Sequence, residues 1–350
     1  MPNILIAASG TGGHIYPALA IAESLPAEWK VVWLGVPNRL EINLVPKEFN
    51  LVKINVGGLQ GNLFNKLLKL FKLIISIIPV IRIIKKNQID VVFTTGGYIS
   101  APSILACKIL NVKVILHESN AIPGRVSSLL GRFCDEVHLG FDLNDSYLYG
   151  CKKKITGTPL RDQFYIKQKR PNWLPSGEGL LIIIIGGSQG SLSLNRLIEG
   201  SLELLIEVGC RVVHLHGPNE KSVNKFKHPN LVKKIFSDEM PALLQHSDLV
   251  ISRAGAGIIN ELIITNTPSI LIPFSKASLD HQSANASYLA SKGAACIISE
   301  NCSLINFQNS LLRIIDTKSN RILSKMKENI KSIKTRDSKS MVLESIFNYN

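Results

Sequence analysis

The chain has few aromatic residues and no segment apolar enough to span a bilayer. Aromatic side chains make up 6% of its 350 residues, and no RNA- or DNA-binding motif occurs, so we expect no nucleic-acid partner. No run of about 18 uncharged apolar residues is present, which argues against a transmembrane helix. The apolar start has no basic leader and runs straight into a glycine-rich turn, so we expect no secretory signal peptide.

The cysteines lack the spacing of metal sites and of redox motifs. Six occur, with no Cys-x-x-Cys pair and no clustered histidines beside them, which indicates reduced thiols in a cytosolic protein. An Asp-x-Asp pair placed to clamp a metal on a diphosphate is also missing. We therefore expect neither a metal nor a cofactor.

Positive charge is abundant. Lys and Arg number 40 against 26 Asp and Glu, a formal net charge of +14. Such an excess favours an anionic partner, and with nucleic acid disfavoured, an acidic membrane surface or a phosphorylated substrate remains. The hydrophobic content of 45% excludes a wholly disordered chain, and the length is sufficient for two domains.

Short β-branched runs alternate with longer helical patterns along the whole chain. Continuous apolar strands separated by helices are typical of parallel sheets that are covered on both faces, so the fold class is α/β. The predicted strands are 3–8, 30–34, 51–54, 91–94 and 113–117, then 180–185, 211–216, 231–235, 249–251 and 269–272.

The two halves of this pattern predict two domains. A junction at residues 157–161 precedes an aperiodic linker at 170–177. We expect a first domain over 1–160 and a second over 161–336. A final helix at about 337–350 has an apolar face, and we expect it to return to the first domain.

Two glycine-rich turns each follow an apolar strand and precede a helical pattern, GTGGH at 10–14 and GGSQG at 186–190. Such turns leave backbone N–H groups at the positive end of a helix dipole, which suits an anionic oxygen. The first lacks the full G-x-G-x-x-G spacing, which disfavours a nicotinamide dehydrogenase. His14 could be a surface residue of a tight turn, or a neutral base for deprotonating a sugar hydroxyl.

Three further clusters follow predicted strands. SRAGAGIINE at 252–261 again offers amides to phosphate, and Glu261 could accept ribose hydroxyls or be an ordinary surface charge. Residues 278–286 crowd Asp, His, Gln and Asn together, as sugar-hydroxyl partners or as a helix capped by Asp280. HESNAIPG at 117–124 lies where open parallel sheets place ligands.

The segment 63–78 is apolar over more than half of a helix circumference, with a narrow polar stripe of Asn65, Lys69, Lys72 and Ser76. One interpretation is an interfacial membrane contact, in which apolar groups sink in while Lys and Arg meet anionic head groups. The other is a core helix with a solvated lysine stripe. The sequence alone leaves both open.

Taken together, these motifs resemble the MurG family of peptidoglycan glycosyltransferases. The resemblance covers essentially the whole chain, with GTGGH, GGY, HE-x-NA-x-PG, GTP-x-R, GGSQG, SRAGA…E and DHQ…NA in family order. It implies a GT-B architecture, in which two Rossmann-like domains with parallel sheets face each other across a cleft. It also implies an inverting transfer of N-acetylglucosamine from its UDP ester to the 4-hydroxyl of the MurNAc-pentapeptide of undecaprenyl-pyrophosphoryl lipid I, forming lipid II.

By position, the resemblance implies residue roles and a location. The protein would be peripheral on the cytoplasmic face of the inner membrane, with an anionic lipid surface near Leu67, Leu70, Phe71 and Ile74. Ser119 and Ile258 depart from the family's usual Gln and Thr. His14 would be the general base, and the UDP-N-acetylglucosamine contacts would be Thr11, Gly12, Gly13, Asn120, Arg161, Ser188, Ala256, Gly257, Ile258, Ile259, Asn260, Glu261 and Gln282.

The sequence leaves two alternatives open. Another GT-B protein, such as a UDP-N-acetylglucosamine 2-epimerase or a glycolipid transferase, would share the nucleotide-binding turns, although the motif order argues against both. A basic membrane-surface or nucleic-acid module without catalysis would explain the charge, but it would leave Glu261, Gln282 and the paired glycine turns without a role.

Overall fold

The computed structural model describes residues 1–57, 71–142, 147–187, 190–218, 226–275, 280–316 and 321–348. The chain divides into two compact units, Met1–Arg161 with Arg336–Asn350, and Asp162–Thr335. The boundaries expected from the sequence are 160/161 and 336/337.

A parallel sheet forms the centre of the first unit. Its strands are β1 (Asn3–Ala7), β2 (Lys30–Gly35), β3 (Asn50–Lys53), β4 (Val91–Thr94), β5 (Lys113–Glu118), β6 (Glu136–Leu139) and β7 (Lys153–Ile155). They are arranged in the order β3-β2-β1-β4-β5-β6-β7, with every neighbouring pair parallel.

Helices cover both faces of this sheet, because its central strands are apolar on both sides. In chain order they are α1 (Gly12–Ala22), α2 (Glu41–Leu44), α3 (Ile77–Lys86), α4 (Ser100–Leu110), α5 (Arg125–Leu130) and, after the second unit, a returning helix over Ser338–Phe347. Val342 and Ile346 of that last helix are wholly buried in the same core cluster as Ile4 and Ile6. The apolar face predicted for it therefore packs within the first unit.

The second unit repeats this plan. Its strands are β8 (Leu181–Ile185), β9 (Arg211–Leu215), β10 (Leu231–Lys234), β11 (Leu249–Ser252), β12 (Ser269–Leu271) and β13 (Ala295–Ile297), and its sheet has the all-parallel order β10-β9-β8-β11-β12-β13. The helices are α6 (Leu192–Glu199), α7 (Leu202–Glu207), α8 (Met240–His246), α9 (Ala256–Thr265), α10 (His281–Ser291), α11 (Leu304–Ile314) and α12 (Arg321–Lys331), which makes the returning helix α13.

Each of the ten predicted strands is present, with its ends within one residue of the prediction. Three strands were not predicted, namely β6, β7 and β13. In both sheets the chain order reverses beside the first strand, so that β1 lies next to β4 and β8 next to β11. Loops that leave the carboxyl ends of strands at such a reversal are the usual place for a ligand in an open α/β sheet.

Candidate active site

The first glycine-rich turn leaves β1 and starts α1. Gly10 has a φ of +107°, which lies in the left-handed region that favours glycine. Thr11 is then extended and precedes the helix. Within the described residues, the amides of Gly12 and Gly13 have no hydrogen-bond acceptor. Two main-chain donors at the positive end of α1 are therefore available to an anion.

His14 in the first turn of α1 is held by the loop that follows β4. Its Nδ1 lies 2.6 Å from the carbonyl oxygen of Thr95, and the Thr95 hydroxyl donates to the His14 carbonyl at 2.9 Å. Because a carbonyl oxygen can only accept, Nδ1 carries the hydrogen in the neutral ring and Nε2 is the acceptor nitrogen. This is the arrangement that a histidine base requires.

The space beside His14 Nε2 is kept clear by two glycines. Gly96 and Gly97 have φ values of +85° and +78°. A Cβ atom on Gly97 would lie 3.8 Å from Nε2, and one on Gly96 would lie 3.7 Å from Cε1 of the same ring. With no side chain at either position, a hydroxyl group can approach the imidazole.

A third loop, after β5, is organised by a buried carboxylate. Glu118 is 3% exposed, and its oxygens accept hydrogen bonds from the Asn120 amide N–H, the Asn120 side chain and the Gly124 N–H at 2.9–3.1 Å. His117 Nε2 donates to the Gly157 carbonyl at 2.9 Å, and burial lowers the pKa of His117 to about 4. Glu118 thus shapes the loop that presents Asn120.

Arg161 is the last residue of the first unit's main segment. Its guanidinium lies 4.7 Å from the centre of the Tyr16 ring on α1. Burial raises the pKa of Glu23, also on the α1 side, and the charge of Arg161 acts against that rise. Arg161 therefore packs on the same helix that carries His14.

The second glycine-rich turn, after β8, is described as far as Gly187 and again from Gly190; Ser188 lies outside the described residues. The helix after it starts at Leu192, with Ser191 as its N-cap. A Cβ atom on Gly190, which has a φ of +72°, would lie 2.8 Å from the His216 carbonyl. Gly190 is therefore required where the turn passes over the end of β9.

Arg253, at the end of β11, connects several loops at the carboxyl edge of the second sheet. It is 8% exposed, and its guanidinium donates to the hydroxyls of Ser191 and Ser193, the carbonyls of Ile272 and Pro273, and Glu300 Oε2 at 2.6–3.2 Å. Glu300 also accepts from Ser193 and from the Ser275 N–H. Burial would raise the pKa of Glu300, but these hydrogen bonds and the Arg253 charge lower it.

Helix α9 begins with a row of available amides. Its first intrahelical bond runs from the Ile259 N–H to the Gly255 carbonyl at 3.2 Å. The amides of Ala256, Gly257 and Ile258 have no acceptor in the described part of the chain. Cβ atoms on Gly255 or Gly257 would meet nothing within 4 Å, so the approach to these amides is open.

The later residues of α9 divide into two groups. Ile259 is wholly buried, and Asn260 is 9% exposed with its side chain donating to the Ala256 carbonyl at 2.8 Å. Their side chains support the helix, and the expected contact of these two residues with the donor stays a prediction. Glu261 is half-buried in the second turn of the helix.

Gln282 lies at the start of α10. Its Oε1 accepts from the Phe274 N–H at 2.9 Å, while its side-chain NH₂ donates to none of the described residues. Asp280 occupies the N-cap position but accepts from the Ser283 hydroxyl rather than from a helix amide. The Asn285 side chain donates to the Ala254 carbonyl and so braces the turn before α9.

The segment predicted to contact a membrane is described from residue 71 onwards, so Leu67 and Leu70 lie outside the described residues. Phe71, Ile74, Ile75 and Ile78 are 47–62% exposed; we call them the apolar face. Ser76, expected on a solvated stripe, is instead 5% exposed, with its hydroxyl donating to the Leu73 carbonyl. Within residues 71–78, Leu73 and Ser76 are therefore buried while the apolar face is exposed.

Two features are absent from the described ranges. None of their helices has the length and apolar character that crossing a bilayer requires. Within the same ranges, no group of three or more His, Cys, Asp or Glu side chains is arranged to hold a metal ion.

Several residues that hold the loops of the site could not be identified from the sequence. Glu300 and Ser191 lie far from Arg253 in sequence and carry no motif. Glu41, whose carboxylate lies against the first glycine-rich turn, is an isolated charge between apolar residues. Only the buried environment of these carboxylates, which the sequence does not reveal, indicates that they hold loops in place.

The chain is similar to known proteins along nearly its whole length. Residues 4–139 match the glycosyltransferase family 28 N-terminal domain, and residues 181–341 match the glycosyltransferase family 28 C-terminal domain. A curated relative from Prochlorococcus marinus (strain NATL1A) is 52% identical over 326 residues, which cover 92% of this chain and 93% of the relative. Its name is UDP-N-acetylglucosamine–N-acetylmuramyl-(pentapeptide) pyrophosphoryl-undecaprenol N-acetylglucosamine transferase.

Two further comparisons support the same assignment. A protein of the same name from Synechococcus sp. (strain WH7803) is 53% identical over 298 residues, covering 85% of this chain and 83% of that protein. The crystal structure of Acinetobacter baumannii MurG superimposes with a TM-score of 0.75 at 25% identity, covering 99% of each chain.

Proposed function

This chain belongs to glycosyltransferase family 28, and we infer from that membership and from the site above that it transfers N-acetylglucosamine from UDP-N-acetylglucosamine to N-acetylmuramyl-(pentapeptide) pyrophosphoryl-undecaprenol. The reaction converts lipid I to lipid II in peptidoglycan synthesis. The two Rossmann-like units are those of the GT-B glycosyltransferases. The observation that carries the chemical assignment is His14, whose ring is fixed by Thr95 with Nε2 as its acceptor.

The transfer requires one bond to form and one to break. The 4-hydroxyl oxygen of the acceptor sugar bonds to the anomeric carbon of the donor, while the bond from that carbon to the diphosphate breaks and its electron pair leaves with UDP. The hydroxyl proton needs an acceptor, and we assign it to His14 Nε2. Attack opposite the leaving group inverts the configuration at the anomeric carbon.

Negative charge grows on the diphosphate as the donor bond breaks. We assign its stabilisation to the amides of Ala256, Gly257 and Ile258 at the start of α9, since fixed donors aimed at a developing charge need no reorganisation. Because Ile258 has no hydroxyl, its contribution comes from the backbone. Glu261 is assigned to the ribose hydroxyls, and the side-chain NH₂ of Gln282 to a hydroxyl of the sugar.

The remaining donor contacts stay proposals on the strength of the resemblance. They are Thr11, Gly12, Gly13, Asn120 and Arg161 in the first unit, and Ser188 in the second. The amides of Gly12 and Gly13 support their assignment because, within the described residues, they have no acceptor.

The test of the proton assignment is steady-state kinetics of His14→Ala and His14→Gln, with labelled UDP-N-acetylglucosamine and a lipid-linked muramoyl-pentapeptide. Loss of a general base should lower kcat by roughly 10²–10⁴-fold, with little change in the KM for the donor. His228→Gln, at an exposed histidine of the second unit, is the matched control. A kcat for His14→Ala within about threefold of wild type would show that His14 is not the base, and turnover without the acceptor would favour epimerase chemistry.

We further propose that the protein is peripheral on the cytoplasmic face of the inner membrane, held there by the apolar face. Its four side chains are about half exposed, so burying them in lipid would contribute roughly 1 kcal/mol each. Lys72 and Arg82 are exposed on the same segment, and each basic group near an anionic surface adds about 1 kcal/mol. The attraction is therefore weak and reversible, as a peripheral protein requires.

Sedimentation with anionic vesicles tests this proposal. Replacing Phe71, Ile74 and Ile78 together by serine should weaken binding at least about tenfold, since it removes roughly 2–3 kcal/mol. Ile305→Ser, at a 69% exposed apolar residue of the second unit, should leave binding unchanged. Equal binding by the triple variant and wild type would exclude the apolar face as the contact.

A further inference from the structure

One buried carboxylate in the first unit has no role in binding or chemistry so far. Glu41 is the first residue of α2 and is wholly buried. Its Oε1 accepts from the Ser9 hydroxyl at 2.5 Å and from the Val36 N–H at 2.8 Å, and its Oε2 accepts from the Gly10 N–H at 3.3 Å. The carboxylate therefore ties the end of β2 to the glycine-rich turn that leaves β1.

The chain leaves room for this carboxylate. A Cβ atom on Gly35, the last residue of β2, would lie 3.0 Å from Glu41 Cγ and 3.3 Å from Oε1. A Cβ atom there would require the Glu41 side chain to shift by a few tenths of an ångström. Gly35 thus leaves the space in which the Glu41 carboxylate presents its two oxygens to Ser9 and Gly10.

The hydrogen bond to Gly10 has a consequence for the residues that follow. Gly10 is in the left-handed region, and its N–H is turned toward Glu41. The orientation of this peptide determines how Thr11 enters α1, and so where the Gly12 and Gly13 amides and the His14 ring begin. From the other side, Thr95 bonds both the backbone and the ring of His14.

We propose that Glu41 is a positioning residue of the transfer reaction, which holds the Ser9–Gly10 peptide so that the His14 ring meets the reacting groups. The proposal rests on the assignment of His14 as the base. Glu41 touches neither substrate, and it acts only through the turn. Displacements of about 1 Å at a reacting group can lower rates by about 10²-fold, so a lost support should be visible in kcat.

The number of acceptor oxygens makes the test selective. A carboxylate offers two oxygens to three donors, whereas a glutamine of nearly equal volume offers one oxygen and an NH₂ group. In Glu41→Gln the side-chain NH₂ would replace one carboxylate oxygen. It would then face a donor from Ser9, Gly10 or Val36, which needs an acceptor. The variant therefore disturbs the turn without making a cavity. Ser9→Ala is the milder second variant, since it removes one donor and keeps the carboxylate with its two backbone partners.

We expect Glu41→Gln to lower kcat by about 10–100-fold and Ser9→Ala by less, with the KM for UDP-N-acetylglucosamine within about twofold of wild type. The decisive measurement is made in the His14→Ala background. If Glu41 acts through His14, adding Glu41→Gln there should lower the remaining rate by less than about twofold, because residues that act as a unit are not additive. A merely structural role would lower the active fraction equally in both backgrounds.

Glu136→Gln is the matched control. Glu136 is a carboxylate of the same unit that accepts hydrogen bonds from His138 and Ser345, away from the glycine turn, so this variant should lose stability but keep kcat. If Glu41→Gln keeps its kcat, or lowers the rate equally with and without His14, the positioning role is wrong. If His14→Ala itself keeps its rate, the base assignment fails instead, and the two failures are distinguishable.

Discussion

Removing the Arg253 guanidinium should destabilise the second unit by about 3–5 kcal/mol. That is the usual effect of breaking a buried ion pair from one side, because the remaining charge is left without a partner. Arg253 and Glu300 have side chains that are 10% and 8% exposed, with Nη1 and Oε2 2.9 Å apart. Arg253→Met keeps much of the side-chain length while deleting every hydrogen bond to Ser191, Ser193, Ile272 and Pro273.

The size of the effect can be checked by differential scanning calorimetry of the whole chain. For a domain of this size, each kcal/mol shifts Tm by about 2–4 °C, so the transition of the second unit should fall by roughly 6–20 °C. The transition of the first unit should stay in place. Arg321→Met, at an exposed arginine of α12, is the matched control and should shift neither transition by more than about 1 °C.

A double-mutant cycle with Glu300→Gln tests the reason for the effect. If the loss in Arg253→Met comes mainly from the stranded carboxylate, the double variant should be more stable than Arg253→Met alone, with a coupling energy of about 1–3 kcal/mol. Isothermal titration of UDP should show weaker binding in Arg253→Met, since the loops after β11 and β12 lose their common support. Additive losses in the cycle, or an unchanged Tm, would refute the reasoning.

Three other perturbations give separable results. Burial lowers the pKa of His117 to about 4. Between pH 6.5 and pH 4 the unfolded chain therefore binds a proton at this residue while the folded chain does not. The free energy of unfolding should fall across this range by up to about 1.4 kcal/mol for each pH unit. In urea unfolding across that range, His117→Gln should flatten the slope, and an unchanged slope would exclude His117 as its source. Gly97→Ala should lower kcat, since the added Cβ would lie 3.8 Å from His14 Nε2; Gly150→Ala, with a similar φ of +73° and no neighbour within 4 Å, should not. Glu261→Gln should raise the Kd for UDP by about tenfold but leave that for its 2′,3′-dideoxy analogue unchanged, and equal effects on both ligands would remove Glu261 from the ribose.

Most strands found from the sequence are short, continuous apolar runs between helical patterns, which is the signature of a strand covered on both faces. The edge strands β3 and β10 are exceptions, because each contains lysine. The strands that were missed lie at or next to a sheet edge, where this signature fails: β6 carries Glu136 and His138, β7 begins with two lysines, and β13 has only three residues. Their existence depends on the neighbouring strand rather than on their own composition.

The candidate site was predictable where it is built from backbone. Turns of small residues between a strand and a helix have few uses other than a tight turn or an anion site, so the starts of α1 and α9 could be recognised. The side chains of α9 could not be sorted in the same way, because Ile259 and Asn260 face inward only when the helix is packed. The outward face of residues 71–78 likewise depended on which side the first unit covers.

Charged residues show the same limit more sharply. From the sequence alone, Glu41, Glu118 and Glu300 could each contact a substrate. In the structure the side chain of each is buried and accepts two or three hydrogen bonds from the loop beside it. The groups left to face a ligand are mainly backbone N–H groups, together with the side chains of His14 and Gln282. Alanine substitution at any of the three carboxylates would therefore imitate the loss of a ligand contact. Only measurements that separate rate from affinity and stability, such as the His14 background and the Glu300 cycle, can tell a support from a contact.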